Sequence, residues 1–244
     1  MRASAAAPTP SGAVSMRTPA MVGGRGDGSD AISHGPGANS GNVVAMASPV
    51  RVFPAQPLRA AGTMLSFTAV LWVLEFYDQL TGQRLDQDGI VPRTTDGLEG
   101  IAWAPLLHGG WAHLIANTLP FLIFGFLVLA NGLGRFVAVT AVVWLLGGLG
   151  VWLTAPDDSV TIGMSGVIFG WLTYLLVRGF FARSAAQIVL AVVVFLLWGG
   201  ILLGVLPGQE GVSWQGHLFG ALAGVVAAWL VAPRRRAADR TLAR

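Results

Sequence analysis

Six apolar stretches, at roughly 62–79, 113–131, 136–153, 164–178, 185–206 and 215–232, dominate the chain beyond residue 58. A bilayer core about 30 Å thick takes some 20 helical residues to cross, and most of these stretches come close to that length. Only 11% of the residues are charged, against about 25% in a typical soluble domain. The expected fold class is therefore an all-α membrane protein, a bundle of six transmembrane helices.

The flanks differ in kind. Residues 1–57 are rich in Gly, Ala, Ser and Pro without hydrophobic periodicity, too little apolar area to offset the chain entropy lost on ordering, so a disordered tail is expected. No apolar run of signal-peptide length marks it for removal. The domain proper is expected over 58–232, followed by a basic tail over 233–244. No cysteine is present, which removes disulfides, thiolate nucleophiles and Cys-based zinc sites.

All fifteen basic residues are arginine. With six spans and the N-terminus inside, the inner segments hold every arginine except Arg84 and Arg93. The outer loops hold Asp86, Asp88, Asp96, Glu99, Asp157, Asp158 and Glu210. Arginine excess on the cytoplasmic side sets membrane orientation, so both termini are expected in the cytoplasm. The same distribution explains a basic isoelectric point of 10.5 without nucleic acid. Arg234-Arg235-Arg236 reads as a stop signal and a contact for anionic lipid. Glu75 and Asp78, which end the first span, read as interfacial.

Polar groups at membrane depth are costly and are usually functional. Ser165 lies in Gly163-Met164-Ser165-Gly166 at the start of the fourth span. If Asp157-Asp158 marks the outer surface and Arg178 the inner one, a helix over 165–177 covers about 20 Å, two-thirds of the bilayer core. A short, partly submerged fourth helix is therefore expected, with Ser165 at its N-terminus. Helix-end N–H groups there suit a developing oxyanion. The plainer reading is close packing, since Gly166 and Gly170 have the small-xxx-small form.

His217, Gly220 and Gly224 fall at i, i+3 and i+7 on one face of the sixth span. The glycines let that helix approach the fourth closely and bring an imidazole to the hydroxyl. The competing reading of His217 alone is a histidine hydrogen-bonded within the bundle. His113 and Asn117, at i and i+4 near the outer end of the second span, can both donate hydrogen bonds to an oxyanion. Zinc held by His108, His113 and His217 is disfavoured, because the spacing lacks His-Glu-x-x-His and no carboxylate lies nearby in sequence. No metal or cofactor is expected.

His108-x4-His113-x3-Asn117, Gly163-x-Ser165-Gly166 and His217-x2-Gly220-x3-Gly224, in this order, resemble the motifs of the rhomboid intramembrane serine proteases, in their bacterial six-helix form. The resemblance spans about residues 60–232. It implies a serine endopeptidase that cleaves transmembrane protein substrates through a Ser165 nucleophile and a His217 general base, without a third acid. The Ser165 N–H, His113 and Asn117 would form the oxyanion hole, and His108 would organise the long outer loop. Phe169 occupies a position where the family often stacks a tyrosine on the catalytic histidine. The loop 207–214 and the fifth helix would be the gate for a substrate helix. A cytoplasmic-membrane location, with the site open to the outer side, follows from the same likeness. Glu99 and Gly100 stand where many members carry Trp-Arg. The alternatives are an inert rhomboid-like scaffold and, in another class, a small membrane transporter. The sequence is silent on oligomeric state and on the physiological substrate.

Overall fold

The computed structural model describes residues 51–232, so residues 1–50 of the tail expected over 1–57, and the tail expected over 233–244, lie outside the described residues. Seven α-helices follow one another: α1 (Pro57–Thr81), α2 (Thr95–Trp103), α3 (Trp111–Val128), α4 (Leu133–Thr154), α5 (Ser165–Ala182), α6 (Ala185–Trp198) and α7 (Trp214–Leu230). Among the described residues there is no strand, only an isolated bridge between Ile90 and Thr161. Five helices are long and apolar enough to cross a membrane: α1, α3, α4, α5 and α6, counting the 3-10 turns that extend α3 and α6. With 17 residues, α7 is shorter.

Local chemistry sets the boundaries. Pro57 opens α1, where its missing N–H costs nothing, and Gly82 in the left-handed region closes it. Thr94, Ser184 and Ser213 cap α2, α6 and α7 by accepting from Gly97 N, Gln187 N and Gly216 N. Each side chain thereby satisfies an orphan N–H of the first turn.

The central helix is α5, packed against α3, α4, α6 and α7, while α1 leans on α3. Trp171, Leu172 and Leu175 on α5 are essentially inaccessible. The outer faces of α1, α3, α4 and α6 instead present Leu65, Phe76, Leu119, Leu145, Leu196 and many more apolar side chains. So much exposed apolar surface suits lipid rather than water.

Two expectations need correction. The fourth apolar helix does begin at Ser165, but it runs 18 residues to Ala182, about 27 Å at 1.5 Å per residue. It is not short. Arg178 is buried within the bundle rather than marking a surface, so it set the predicted end too early. Glu75 and Asp78 are also buried, at 2% and 3% exposure. A 3-10 turn, Leu85–Asp88, folds back over the end of α1, and Leu85 N donates to Asp78 Oδ1 at 2.8 Å.

This crowding of carboxyl groups has a pH signature. Burial, then the charges of Asp78 and Glu75, push the Asp86 carboxyl up to about 6. A carboxyl whose pKa is raised by folding stabilises the fold in its protonated form, so stability falls as pH rises from about 4 to about 6. Asp86→Asn should remove that slope and raise the melting temperature above pH 6. Thermal unfolding in detergent between pH 4 and 7.5 checks this.

The long outer loop has its own anchors. Arg93 reaches across to α4, donating to the Leu153 and Ala155 carbonyls and pairing with Asp157. Trp144 Nε1 and Trp152 Nε1 donate to the Ile101 and Thr94 carbonyls. At the Glu99-Gly100 departure, α2 lies so close to the 89–91 backbone that any side chain at Gly100 would overlap the Gly89 carbonyl.

Candidate active site

Helices α5 and α7 meet backbone to backbone. A Cβ at Gly220 would overlap the Gly166 carbonyl, and one at Gly224 the Gly170 carbonyl. Conversely, a Cβ at Gly166 would stand 3.2 Å from the Gly216 carbonyl oxygen. Gly166 follows Ser165 and Gly216 precedes His217, so this contact lies next in sequence to both residues. Gly224 acts deeper along the pair, beside Thr173, and belongs to the packing rather than to the site.

The imidazole of His217 is fixed from two sides. Phe169, one turn after Ser165, stacks on it with ring centroids 4.0 Å apart and planes 7° from parallel. Its Nδ1 lies 2.9 Å from the Gly204 carbonyl oxygen. A carbonyl can only accept, so Nδ1 carries the proton and Nε2 is left with a lone pair. Among the described residues, Ser165 Oγ makes no hydrogen bond to His217. Hydrogen bonds of this kind are often long before substrate binds.

The turn before Ser165 is pinned by neighbouring segments. Gly163 N donates to the Ala104 carbonyl at 2.8 Å, and residues 90 and 161 exchange two backbone hydrogen bonds. Met164 N donates to Nε2 of the buried His108 at 3.5 Å. Burial, followed by the neighbouring His113, lowers His108 to about 4, which keeps it neutral and able to accept. His108 thus supports the serine turn itself. Gly163 has φ +114°, and a Cβ there would lie 2.7 Å from His113 Nε2. His113 Nδ1 accepts from Gly109 N at 3.4 Å, so its Nε2 is the protonated nitrogen. A donor therefore rests beside Gly163, two residues from Ser165. Asn117 is buried, and its amide donates back to the His113 carbonyl at 3.0 Å.

Ser165, Gly163, Gly166, Thr161, Ser213 and Gly216 share the wall of a cavity of about 40 Å³. Ser165 is also the first residue of α5, where backbone N–H groups lack partners within the helix. Neither His113 nor His217 lines this cavity; His113 stands against Gly163, and His217 against Gly204 and Phe169. Among the described residues, no group of three or more His, Cys, Asp or Glu side chains is placed to hold a metal. Gly204 escaped the sequence reading. It sits in a 3-10 turn, Gly199–Val205, whose apolar residues look like the rest of a span.

A model of the Rhomboid domain matches residues 98–234, more than half of the chain. The chain belongs to the rhomboid family. Two mycobacterial proteins are similar over most of its length. "Uncharacterized protein Rv1337" of Mycobacterium tuberculosis is 55% identical over 186 residues, covering 72% of this chain and 77% of that protein. "Uncharacterized protein ML1171" of Mycobacterium leprae is 51% identical over 185 residues, covering 71% and 72%. The Bacillus subtilis protein named "Putative rhomboid protease YdcA" is 30% identical over 132 residues, covering 53% and 65%. With its apolar helices, this rhomboid chain is a multi-pass membrane protein.

Proposed function

We propose that this rhomboid-family protein is an intramembrane serine endopeptidase that hydrolyses peptide bonds in or near transmembrane segments of membrane proteins. The observation that carries the reading is the fixed imidazole: Phe169 below it and the Gly204 carbonyl on Nδ1. A histidine needed only for packing has no use for a defined tautomer with Nε2 free, on a helix drawn against the one that begins with a serine. Ser165 Oγ attacks the scissile carbonyl while His217 Nε2 takes its proton and later returns it to the leaving amine. The carbonyl oxygen becomes the oxyanion, facing the Ser165 N–H, His113 Nε2–H and Asn117. The Gly204 carbonyl holds the ring as an acid does in a triad.

In this account α7 is the sixth crossing, both termini are cytoplasmic, and the site opens outward. The arginine distribution supports that orientation. The least enclosed of the apolar helices, α6, together with loop 207–214, forms the gate. The purified full chain in detergent should cleave a model transmembrane substrate near a small residue. Failure across substrates, with the fold intact, would favour the inert scaffold instead.

The Gly204 contact gives a sharper test. A Cβ at Gly204 would lie 3.0 Å from both His217 Nδ1 and Phe169 Cζ. Gly204→Val should turn the ring and lower kcat by about 100-fold, the cost of a misplacement near 1 Å. Unchanged kcat would show that the carbonyl does not orient the base.

A further inference from the structure

Arg178 is 4% exposed, yet one hydrogen bond is all it makes among the described residues: Nη1 donates to the Leu127 carbonyl at 3.3 Å. Its Nε and Nη2 have no partner. These two nitrogens form one edge of the guanidinium, the fork that grips phosphate or carboxylate with two parallel hydrogen bonds. Arginine does not shed its proton in a protein. The Cζ of Arg178 lies 5.6 Å from the centre of the Tyr174 ring, a cation–π contact that recovers less than a buried charge without a counter-ion costs. The free edge therefore calls for an anion.

Among the described residues no carboxylate is placed to supply one. Arg178 and Arg135 line a narrow cleft with Asn131, Tyr174 and Gln187. Through Asn131 and Arg135 this cleft adjoins a groove of about 960 Å³ that Arg51 and Arg59 also line. Neither lining contains an aspartate or glutamate. Between residues 51 and 232, every acidic residue falls within 75–99, at 157–158 or at 210, the end of the bundle that holds Ser165. Four arginines thus gather at the opposite end with no acidic side chain among the described residues to neutralise them. The groove is wide enough for a headgroup, and the cleft at Arg178 for little more than one oxygen atom.

We propose that this end of the bundle binds a phosphate-type anion, with one phosphate oxygen at the Nε–Nη2 edge of Arg178 and Arg135 on the same group. The phosphate is carried by an anionic phospholipid or is free in solution. The site is distinct from the Ser165 cavity, and its test does not depend on proteolysis.

The full chain, delipidated in a non-ionic detergent, is melted with added phosphatidylglycerol, phosphatidylcholine or inorganic phosphate. Saturating phosphatidylglycerol should raise the melting temperature by about 4 °C or more, with phosphatidylcholine giving less than half of that. A rise with inorganic phosphate alone supports the site with the free anion as its source. A rise confined to phosphatidylglycerol supports it with lipid as the source. Arg178→Gln and the half-exposed Arg135→Gln should both abolish the rise, while Arg183→Gln, which lines neither cleft, should keep it. Should Arg178→Gln fail to fold, Arg135→Gln decides. No rise in the wild type, or an equal rise in Arg135→Gln, would overturn the proposal.

Discussion

Ser165→Ala should lower the rate of substrate cleavage by about 10⁴-fold or more while leaving the melting temperature within about 1 °C of wild type. Removing the nucleophile of a serine hydrolase costs on the order of 10⁴ to 10⁶ in kcat, and what survives comes from binding and the oxyanion site. The hydroxyl is only partly enclosed and makes no hydrogen bond among the described residues, so its loss leaves no buried group unsatisfied. His217→Ala should give a similar loss of activity. In the proposed dyad the two groups act as one unit, so the double variant should be little worse than either single one. Stability is less protected in His217→Ala, since the ring stacks on Phe169 and bonds Gly204. A readout of folding must therefore accompany it.

Gly220→Val should be damaging to both fold and activity, for a different reason. A Cβ there would overlap the Gly166 carbonyl, and backbone cannot swing aside as a flexible side-chain end can. Intrinsic helix propensity alone would favour valine over glycine by a few tenths of a kcal/mol. Overpacking costs about 1–3 kcal/mol, so the clash wins. For a domain of this size, that lowers the melting temperature by roughly 2–4 °C per kcal/mol. Forcing α5 and α7 apart would also break the proposed pairing of Ser165 with His217, and activity should fall by at least about 100-fold. Thermal unfolding with single-turnover cleavage on the same preparation separates the two effects. A Gly220→Val protein that is stable and fully active would refute the close-packed helix pair.

The apolar segments were legible because lipid imposes a length and forbids unpaired backbone, although α1 begins at Pro57, several residues before the expected start near 62. Ser165 at a helix start and the glycine face of α7 followed from spacing. The end of α5 did not, because a charge was read as a membrane boundary. Arg178 lies instead beneath other helices, and hydropathy cannot tell a surface arginine from an enclosed one. Burial of Glu75 and Asp78 likewise depends on the 3-10 turn folding back over α1, a contact that hydrophobic periodicity does not show. Gly204 was hidden because its contribution is a carbonyl, which every residue has. Only the arrival of its turn over His217 makes it part of the site.

The central claim is that Ser165 is a nucleophile activated by His217. Its most direct test is incubation of the full-length protein in detergent with a fluorophosphonate, followed by mass spectrometry of the peptide containing residue 165. One phosphonyl adduct is expected, on Ser165, formed about 10³-fold or more slowly when His217 is replaced by alanine. An adduct on another residue, or labelling of Ser165 at an equal rate without His217, would contradict it.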